Sequence, residues 1–295
     1  MMAGKANSLI FHSMASNPNT LSVDIEIART CGFDGLETSG TKISAFLNAG
    51  FEVSELRGRL HDLQVPGIGF LIDLERQGAQ RDDMLAEADA LCRLAVAAGA
   101  GGIEAITGPL DLRVFESNSA SRYPELYRGV VDLEKDAQIK VTAENLRLVA
   151  DLAAGYGLIV YLEALSWTPL KTLDDQLRVV SKCDRPNVQL VIDFWHCYTA
   201  GDTPERLSRL DKDLIYGVHL CDSLPFKGGV PDETVLRDVR TGEGVLDLRD
   251  WVEAIRSTGF SGWWSCEQFC RRDHYDNPFE VAAILKSRMA ELVSA

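Results

Sequence analysis

Eight short apolar runs alternate with helix-like stretches along almost the whole chain. The runs are rich in β-forming residues, and they lie at 9–15, 33–38, 66–72, 101–107, 159–165, 191–196, 216–222 and 263–269. The clearest helical stretches between them lie at 22–31, 54–63, 82–99, 142–156, 173–182, 204–210, 247–257 and 278–294. Strands that alternate with helices form parallel sheets, and eight such units in 295 residues favour a closed barrel. The sequence therefore predicts an α/β protein with a single (β/α)8 TIM barrel domain over residues 1–295.

The last four runs each carry a side chain that can bind a metal ion or move a proton. In a (β/α)8 barrel the carboxyl ends of the strands meet at one face, so these side chains converge there. Three carboxylates and one imidazole suit Mn²⁺, Mg²⁺ or Co²⁺ better than a closed structural Zn²⁺ site. We therefore predict one divalent metal ion, with Mn²⁺ as the preferred cofactor, and the ligands are Glu163, Asp193, His219 and Glu267.

Other polar residues near the ends of the runs are secondary candidates. His196 follows Asp193 by three residues and is either a fifth ligand or, preferably, a donor to a substrate hydroxyl or carbonyl. His12 on the first run is a candidate pocket residue. For Glu104 on the fourth run, a position at the barrel mouth and a role in ordinary packing are equally favoured. We disfavour a set of merely buried polar groups, because burying three carboxylates together without a cation would be costly.

The local pattern also predicts how two segments continue. VIDFWH (191–196) is predicted to be a buried strand that opens onto a loop. The loose, polar segment 108–141 is predicted to be a long loop with one helical turn, and a helix then opens at Thr142.

The amino-acid composition limits the kinds of molecule that the protein is expected to bind and the compartment in which it is expected to work. The 30 basic and 44 acidic residues give a formal charge of −14, which disfavours nucleic acid and fits a small substrate. Seven cysteines without a CxxC pair indicate reduced thiols in a cytoplasmic protein, with a catalytic thiol as a minor alternative at Cys197, Cys221 or Cys266. The N-terminal apolar stretch is too short for a secretory signal, and no run is long enough to cross a membrane.

Several motifs together resemble the sugar isomerase and epimerase superfamily with the xylose-isomerase-like TIM barrel. The resemblance covers nearly the whole chain and rests on Glu163, Asp193 with His196, His219, Glu267, GFDGLE (32–37) and RTGEGVLD (240–247). It implies that a metal ion polarises a substrate carbonyl while two glutamates exchange protons at the adjacent carbon. Glu163 and Glu267 match that catalytic pair. The chemistry is reasonable, because a C–H next to a polarised carbonyl is acidified enough for a carboxylate to remove its proton.

The resemblance also implies substrate contacts and an assembly. Arg237 is the best match to a substrate-binding arginine and Arg240 is the second choice, while Glu37 matches a glutamate that faces the site. We expect His196 and Trp167 to contact substrate too. The resemblance further implies that Asp222 orients a metal ligand, that the substrate is a small keto-sugar or polyol, and that the chain forms a homo-oligomer, either a dimer or a tetramer.

Three other functions stay open at this stage. A lyase of the inosose or 3-dehydroshikimate dehydratase type, or a subunit that cleaves C-glycosides, would share the metal site and the first proton transfer. A DNA-repair nuclease of the endonuclease IV type is disfavoured, because its trinuclear zinc site needs histidines that are missing around Gly69 and Thr107 and an Asp-x-His pair that is LRD at 236–238. A non-enzymatic binding module would follow if Glu163 or Glu267 were misplaced.

Overall fold

The computed structural model describes residues 6–294, and its eight strands form one closed parallel barrel. Neighbouring strands pair in chain order, and β8 pairs with β1 to close the ring. The strands are β1 (Ser8–His12), β2 (Gly35–Ser39), β3 (Ile68–Leu71), β4 (Gly102–Ile106), β5 (Ile159–Glu163), β6 (Val188–Asp193), β7 (Ile215–His219) and β8 (Trp263–Ser265). The (β/α)8 TIM barrel predicted from the alternating pattern is confirmed.

Helices surround the barrel and bury their apolar faces against it. They are α1 (Leu21–Thr30), α2 (Gly40–Asn48), α3 (Val53–Leu60), α4 (Ala79–Ala98), α5 (Ser119–Arg122), α6 (Lys135–Gly155), α7 (Leu173–Cys183), α8 (Phe194–Ala200), α9 (Pro204–Leu207), α10 (Glu233–Leu236), α11 (Leu248–Ser257), α12 (Arg271–His274) and α13 (Pro278–Val293). Within residues 6–294 no helix is both long and apolar enough to span a bilayer.

A layer of large side chains fills the inside of the barrel below the site. Ile10, Tyr161, Val191 and Trp263 are buried together, with Tyr216 packed against them. The rings of Tyr161 and Tyr216 stack at 5.2 Å between centroids. Inward-facing positions alternate along each strand, so the next inward residues toward the C-terminal face lie directly above this layer. The polar residues at the C-terminal ends of the strands therefore pack directly on this layer of large side chains.

Three local predictions were wrong, two of them because a side chain caps a helix directly after a strand. Helix α2 follows β2 almost directly, because Ser39 caps it by accepting a hydrogen bond from the Lys42 N–H, whereas no helix was predicted there. The helix expected to open at Thr142 begins at Lys135, so the polar segment is shorter. Strand β6 does not open onto a loop: helix α8 begins at Phe194, with Asp193 as its N-cap.

A buried carboxyl group outside the barrel interior gives a prediction about stability. Glu75, in the segment between β3 and α4, is 1% exposed, and its Oε2 accepts a hydrogen bond from the Gly108 N–H at 2.8 Å. Burial raises the pKa of Glu75 to about 8. Because the folded state keeps a proton that the unfolded state loses above its ordinary pKa of 4.5, the group favours folding at low pH. That contribution declines as the pH rises from about 4.5 to about 8.

We expect Glu75→Gln to flatten this pH dependence, since glutamine keeps the acceptor for Gly108 and cannot ionise. At pH 8.5 the variant should be more stable than the wild type by on the order of 3 kcal/mol, and at pH 4.5 the two should be similar. Urea unfolding at both pH values measures the difference. Glu125→Gln, at an exposed position, is the control. A constant offset between Glu75→Gln and the wild type across this range would contradict the prediction.

Candidate metal centre and active site

The structure brings together the four side chains that the sequence marks as metal ligands. Glu163, Asp193 and His219 are the last residues of β5, β6 and β7, and Glu267 lies two residues after β8. One ligand atom from each residue lies within 4.8 Å of the others. The first three side chains are buried, while the Glu267 side chain is 14% exposed. The group therefore lies at the C-terminal face of the barrel, open on the side of Glu267.

The start of helix α8 fixes the orientation of Asp193. Its Oδ1 accepts a hydrogen bond from the backbone N–H of His196 at 2.9 Å, as an N-cap does. The other oxygen, Oδ2, faces His219 Nδ1 at 3.8 Å. Burial disfavours the charged form, but Arg237, His196 and His219 outweigh it and lower the pKa of Asp193 to about 2. Asp193 is thus an ionised carboxylate with one oxygen aimed at the other ligands.

Glu37 fixes the orientation of His219. The Nε2–H of His219 donates to Glu37 Oε2 at 3.2 Å, and the same carboxylate accepts hydrogen bonds from Tyr161 and Ser265. A histidine that donates one N–H to a carboxylate presents its other nitrogen as a metal ligand. Glu37 is 1% exposed and already has these three donors, so the structure shows it as a partner of His219, and its contact with substrate stays a prediction. Glu37 holds His219 through the ring nitrogen that faces away from Glu163.

Two buried atoms show that the residues fit a cation. Glu163 Oε1 and His219 Nδ1 face each other at 3.3 Å, yet neither has a hydrogen-bond partner among the described residues. Buried polar atoms are nearly always satisfied, so a shared positive charge is the simplest partner for both. Burial alone would lower the pKa of His219, but Glu37 and Glu163 raise it well above its ordinary value. The site therefore favours an added positive charge, which either a proton or a divalent ion can supply.

Glu37→Gln gives a test of this arrangement. Glutamine can still accept the hydrogen bond from His219 but lacks the charge that strengthens the imidazole as a ligand. We expect the affinity for Mn²⁺ to fall roughly 10- to 100-fold, as it does when such a carboxylate partner is lost. Calorimetric titration with Mn²⁺ measures the change. Glu75→Gln removes an equally buried carboxylate that belongs to neither group of candidate ligand atoms and should bind as the wild type does. Equal affinities for Glu37→Gln and the wild type would exclude this role.

His196 is placed to donate and not to ligate. The backbone N–H of Ser166 donates to His196 Nδ1 at 3.2 Å, so the ring proton is on Nε2. That Nε2–H lies 4.0 Å from Glu163 Oε2. Burial lowers the pKa of His196, which keeps the ring neutral despite its acidic neighbours. Of the two roles left open for His196, the geometry favours the donor.

Of the two candidate arginines, the positions of the side chains favour Arg237. The guanidinium of Arg237 is buried, and its Nη2 donates to Glu267 Oε2 at 2.9 Å and lies 3.3 Å from Asp193 Oδ2. Arg240 instead pairs with Asp273 away from the metal ligands. Arg237 therefore joins two of the four ligand side chains. Its direct contact with substrate stays a prediction.

Trp167 lies in the apolar wall beside the site. Its Nε1–H donates to the Pro109 carbonyl at 3.2 Å, and its ring centroid is 5.7 Å from that of His196. It is buried with Ile106, Leu165, Trp195 and Cys221. This position is compatible with a wall for a substrate, and the contact itself stays a prediction.

Asp222 has a different role from the one expected. Its carboxylate accepts hydrogen bonds from the backbone N–H groups of Ser223, Gly242, Gly244 and Leu246. Three of these bonds, from Gly242, Gly244 and Leu246, hold the glycine-rich turn that follows α10. The expectation that Asp222 orients a metal ligand is therefore wrong.

Two other residues, Glu104 and His12, complete the polar interior of the barrel. Glu104 on β4 is buried with Oε1 unpartnered, and burial and Glu163 raise its pKa well above the ordinary value. His12 at the end of β1 lies 4.0 Å from Glu267. The sequence offered only their positions on strands as a signal.

The alternative of a catalytic thiol at Cys221 is disfavoured. Burial, Asp193 and other groups raise the pKa of the Cys221 thiol well above its ordinary value, so it is a poor nucleophile.

Comparison with known proteins gives concordant matches. The family described as Xylose isomerase-like TIM barrel matches residues 25–289. Inosose isomerase from Bacillus subtilis (strain 168) is 30% identical over 146 residues, which cover 48% of this chain and 51% of the relative. 3-Dehydro-D-guloside 4-epimerase from Escherichia coli (strain K12) is 27% identical over 131 residues, covering 43% and 45%. The chain thus matches about half the length of these two relatives.

Further matches include proteins with a different activity and solved structures with a similar fold. Proteins named as dehydratases of 3-dehydroshikimate and of inosose are also similar over part of the chain. Among solved structures, that of the IOLI protein with a bound zinc atom has a TM-score of 0.84 at 20% identity, covering 97% of this chain and 98% of that one. At this identity the likeness establishes the fold.

Proposed function

The chain belongs to the Xylose isomerase-like TIM barrel family, and from this premise we propose that it is a metal-dependent isomerase or epimerase of a keto-sugar or keto-polyol. One observation carries the proposal: two glutamates, Glu163 at the end of β5 and Glu267 just after β8, share a cluster of ligand atoms with Asp193 and His219. The relatives named as isomerases, epimerases and dehydratases support this class of chemistry.

The four clustered side chains would hold one divalent ion, for which we propose Mn²⁺. When bound, the ion would polarise a substrate carbonyl and so acidify the neighbouring C–H. A donor set of three carboxylates and one imidazole also suits Mg²⁺ or Co²⁺. A zinc atom accompanies one structural neighbour.

The protein's own groups would then move the proton. Glu163 and Glu267 come from β5 and from the segment after β8, so they approach a substrate between them from different directions. One carboxylate would take the proton from the carbon next to the carbonyl, and the other would return a proton to the opposite face. This sequence inverts the configuration at that carbon.

Neighbouring donors would steady the charge that develops during the transfer. The Nε2–H of His196 points toward the Glu163 side of the site and would donate to a substrate oxygen there. Arg237 would hold Glu267 in place through the bond between its Nη2 and Oε2. The buried wall that includes Trp167 would exclude water from the reacting carbon.

Proton exchange in D₂O tests the proposal. Metal-loaded protein is incubated with a panel of keto-inositols, keto-glucosides and ketoses, the metal is removed with a chelator, and the products are analysed by proton NMR. We expect deuterium at a carbon next to the carbonyl, together with a new stereoisomer or a shifted carbonyl. Deuterium uptake with loss of water would assign a dehydratase instead. No exchange across the panel, in protein shown to contain metal, would contradict the proposal.

A further inference from the structure

His12 is locked in one orientation by the turn that follows it. It is the last residue of β1 and caps the short 3₁₀ helix Ser13–Ser16, so that its Nδ1 accepts a hydrogen bond from the Met14 N–H at 3.1 Å. A backbone N–H can only donate, so Nδ1 must accept and the ring proton must be on Nε2. His12 therefore presents an N–H, and not a lone pair, on its other side.

That N–H points into the site without a partner. The Nε2 atom lies 4.0 Å from Glu267 Oε1 and 3.8 Å from Glu37 Oε2, and both distances are too long for a direct hydrogen bond. The His12 side chain is 11% exposed. Within residues 6–294 no hydrogen bond uses this N–H. A positioned donor is thus left free at the open side of the metal-ligand cluster.

A metal-ligand role for His12 does not fit this geometry. His12, Glu37 and His219 form a second group with ligand atoms within 4.8 Å of one another. However, the Nε2 atoms of both histidines carry protons and face the Glu37 carboxylate, since Nδ1 of His219 is the atom turned toward Glu163. The group is therefore a carboxylate between two N–H groups.

The same arrangement occurs at the other catalytic glutamate. The His196 Nε2–H lies 4.0 Å from Glu163, and its Nδ1 accepts from a backbone N–H just as that of His12 does. Each glutamate of the proposed pair thus has its own histidine, with the same tautomer, at the same distance. An oxygen atom placed beside a 4.0 Å gap can lie about 2.8 Å from both groups, which is an ordinary hydrogen-bond distance.

We infer that His12 is a second substrate-binding donor, which gives its Nε2–H to the hydroxyl or carbonyl oxygen of a polyol substrate on the Glu267 side, as His196 does on the Glu163 side. The inference rests on the proposed function. His12 keeps its proton throughout, so no atom is transferred. Two fixed donors would hold the oxygens that flank the reacting carbon and keep that carbon between the two glutamates.

Two substitutions separate this donor from the local fold. His12→Asn keeps an oxygen that can accept from the Met14 N–H but cannot reach the Glu267 side. His12→Gln places an amide N–H close to the position of Nε2. With metal at saturation, we expect His12→Asn to lower kcat for deuterium exchange roughly 10- to 100-fold, which is at or below the usual loss for one positioned donor. His12→Gln should recover a part of that loss, and both variants should bind Mn²⁺ as the wild type does.

An NMR measurement gives a second readout that does not depend on activity. In ¹⁵N-histidine-labelled protein loaded with Mg²⁺, the two-bond ¹H–¹⁵N correlations of His12, assigned with His12→Asn, should show a proton on Nε2. A proton on Nδ1 would overturn the inference.

The kinetic outcomes distinguish the two proposals. If the wild type exchanges deuterium and His12→Asn does so at the same rate, the role of His12 is overturned and the proposed function is not. Loss of Mn²⁺ binding in His12→Asn would instead make it part of the metal site and also overturn this role. Absence of exchange by the metal-loaded wild type would overturn the proposed function and, with it, this inference.

Discussion

Glu163→Gln and Glu267→Gln are each expected to lower the rate of epimerisation roughly 10³-fold, because each removes one of the two groups that exchange a proton with the substrate carbon. Glutamine is close to glutamate in shape and can still offer an oxygen to the metal ion, but it cannot accept a proton at neutral pH. The loss should therefore appear mainly in kcat when metal and substrate are saturating.

The two variants should differ in which stereoisomer still exchanges with D₂O. Glu163→Gln retains Glu267, so it should still take up deuterium from the isomer whose C–H faces Glu267, without forming the other isomer. Glu267→Gln should show the opposite preference. Glu75→Gln changes a buried carboxylate that belongs to neither group of candidate ligand atoms, and it should epimerise at the wild-type rate. If both active-site variants lost exchange with both isomers while retaining metal, a mechanism with one glutamate on each face would be excluded.

The fold was predictable because its signal is local. Each strand is a compact run of β-forming residues, and each long helix has apolar residues at helical spacing. Two of the three errors occurred where a boundary depends on a single capping interaction. Ser39 and Asp193 end β2 and β6 by accepting a hydrogen bond from a backbone N–H three residues on, which starts a helix at once. Such caps change the chain direction without changing the apolar pattern.

The clustering of the four proposed metal ligands was predictable for a similar reason, whereas the supporting contacts were not. Three of these residues occupy the last positions of successive strands, and parallel strands bring these ends together. The partner of His219 is Glu37, which is 182 residues away, so its role depends on the closed barrel and not on any local motif. The role of Asp222 depends likewise on the turn around Gly242 and Gly244.

His219→Asn is expected to weaken Mn²⁺ binding by about 10³-fold, since it removes the one nitrogen ligand from a set of four and leaves the carboxylates without their imidazole partner. The side chain that replaces it is shorter and cannot reach both Glu37 and the ligand cluster. Calorimetric titration of metal-free protein measures the affinity. His61→Asn is the matched control, because His61 is an exposed histidine whose side chain is 71% exposed.

Metal binding to the wild type should also release about one proton near pH 7. Glu37 and Glu163 overcome the effect of burial and raise the pKa of His219 well above its ordinary value in the metal-free protein, so the imidazole is protonated there. A metal ion binds only the neutral ring, so the affinity should rise about tenfold per pH unit until the pH exceeds that raised pKa, and then level off. Titrations in two buffers with different ionisation enthalpies count the released protons.

His219→Asn should remove this proton release as well as most of the affinity, because asparagine does not titrate. A wild type that binds Mn²⁺ with the same affinity at pH 6 and pH 8 would contradict the prediction, since the proton and the metal ion would then not compete for one position. If they do compete, the protonated histidine stabilises the metal-free site by balancing its carboxylates, and the metal ion replaces that charge on binding. A positive charge would therefore offset the cost of the clustered carboxylates in both states, supplied by the protonated His219 without metal and by the metal ion when it is bound.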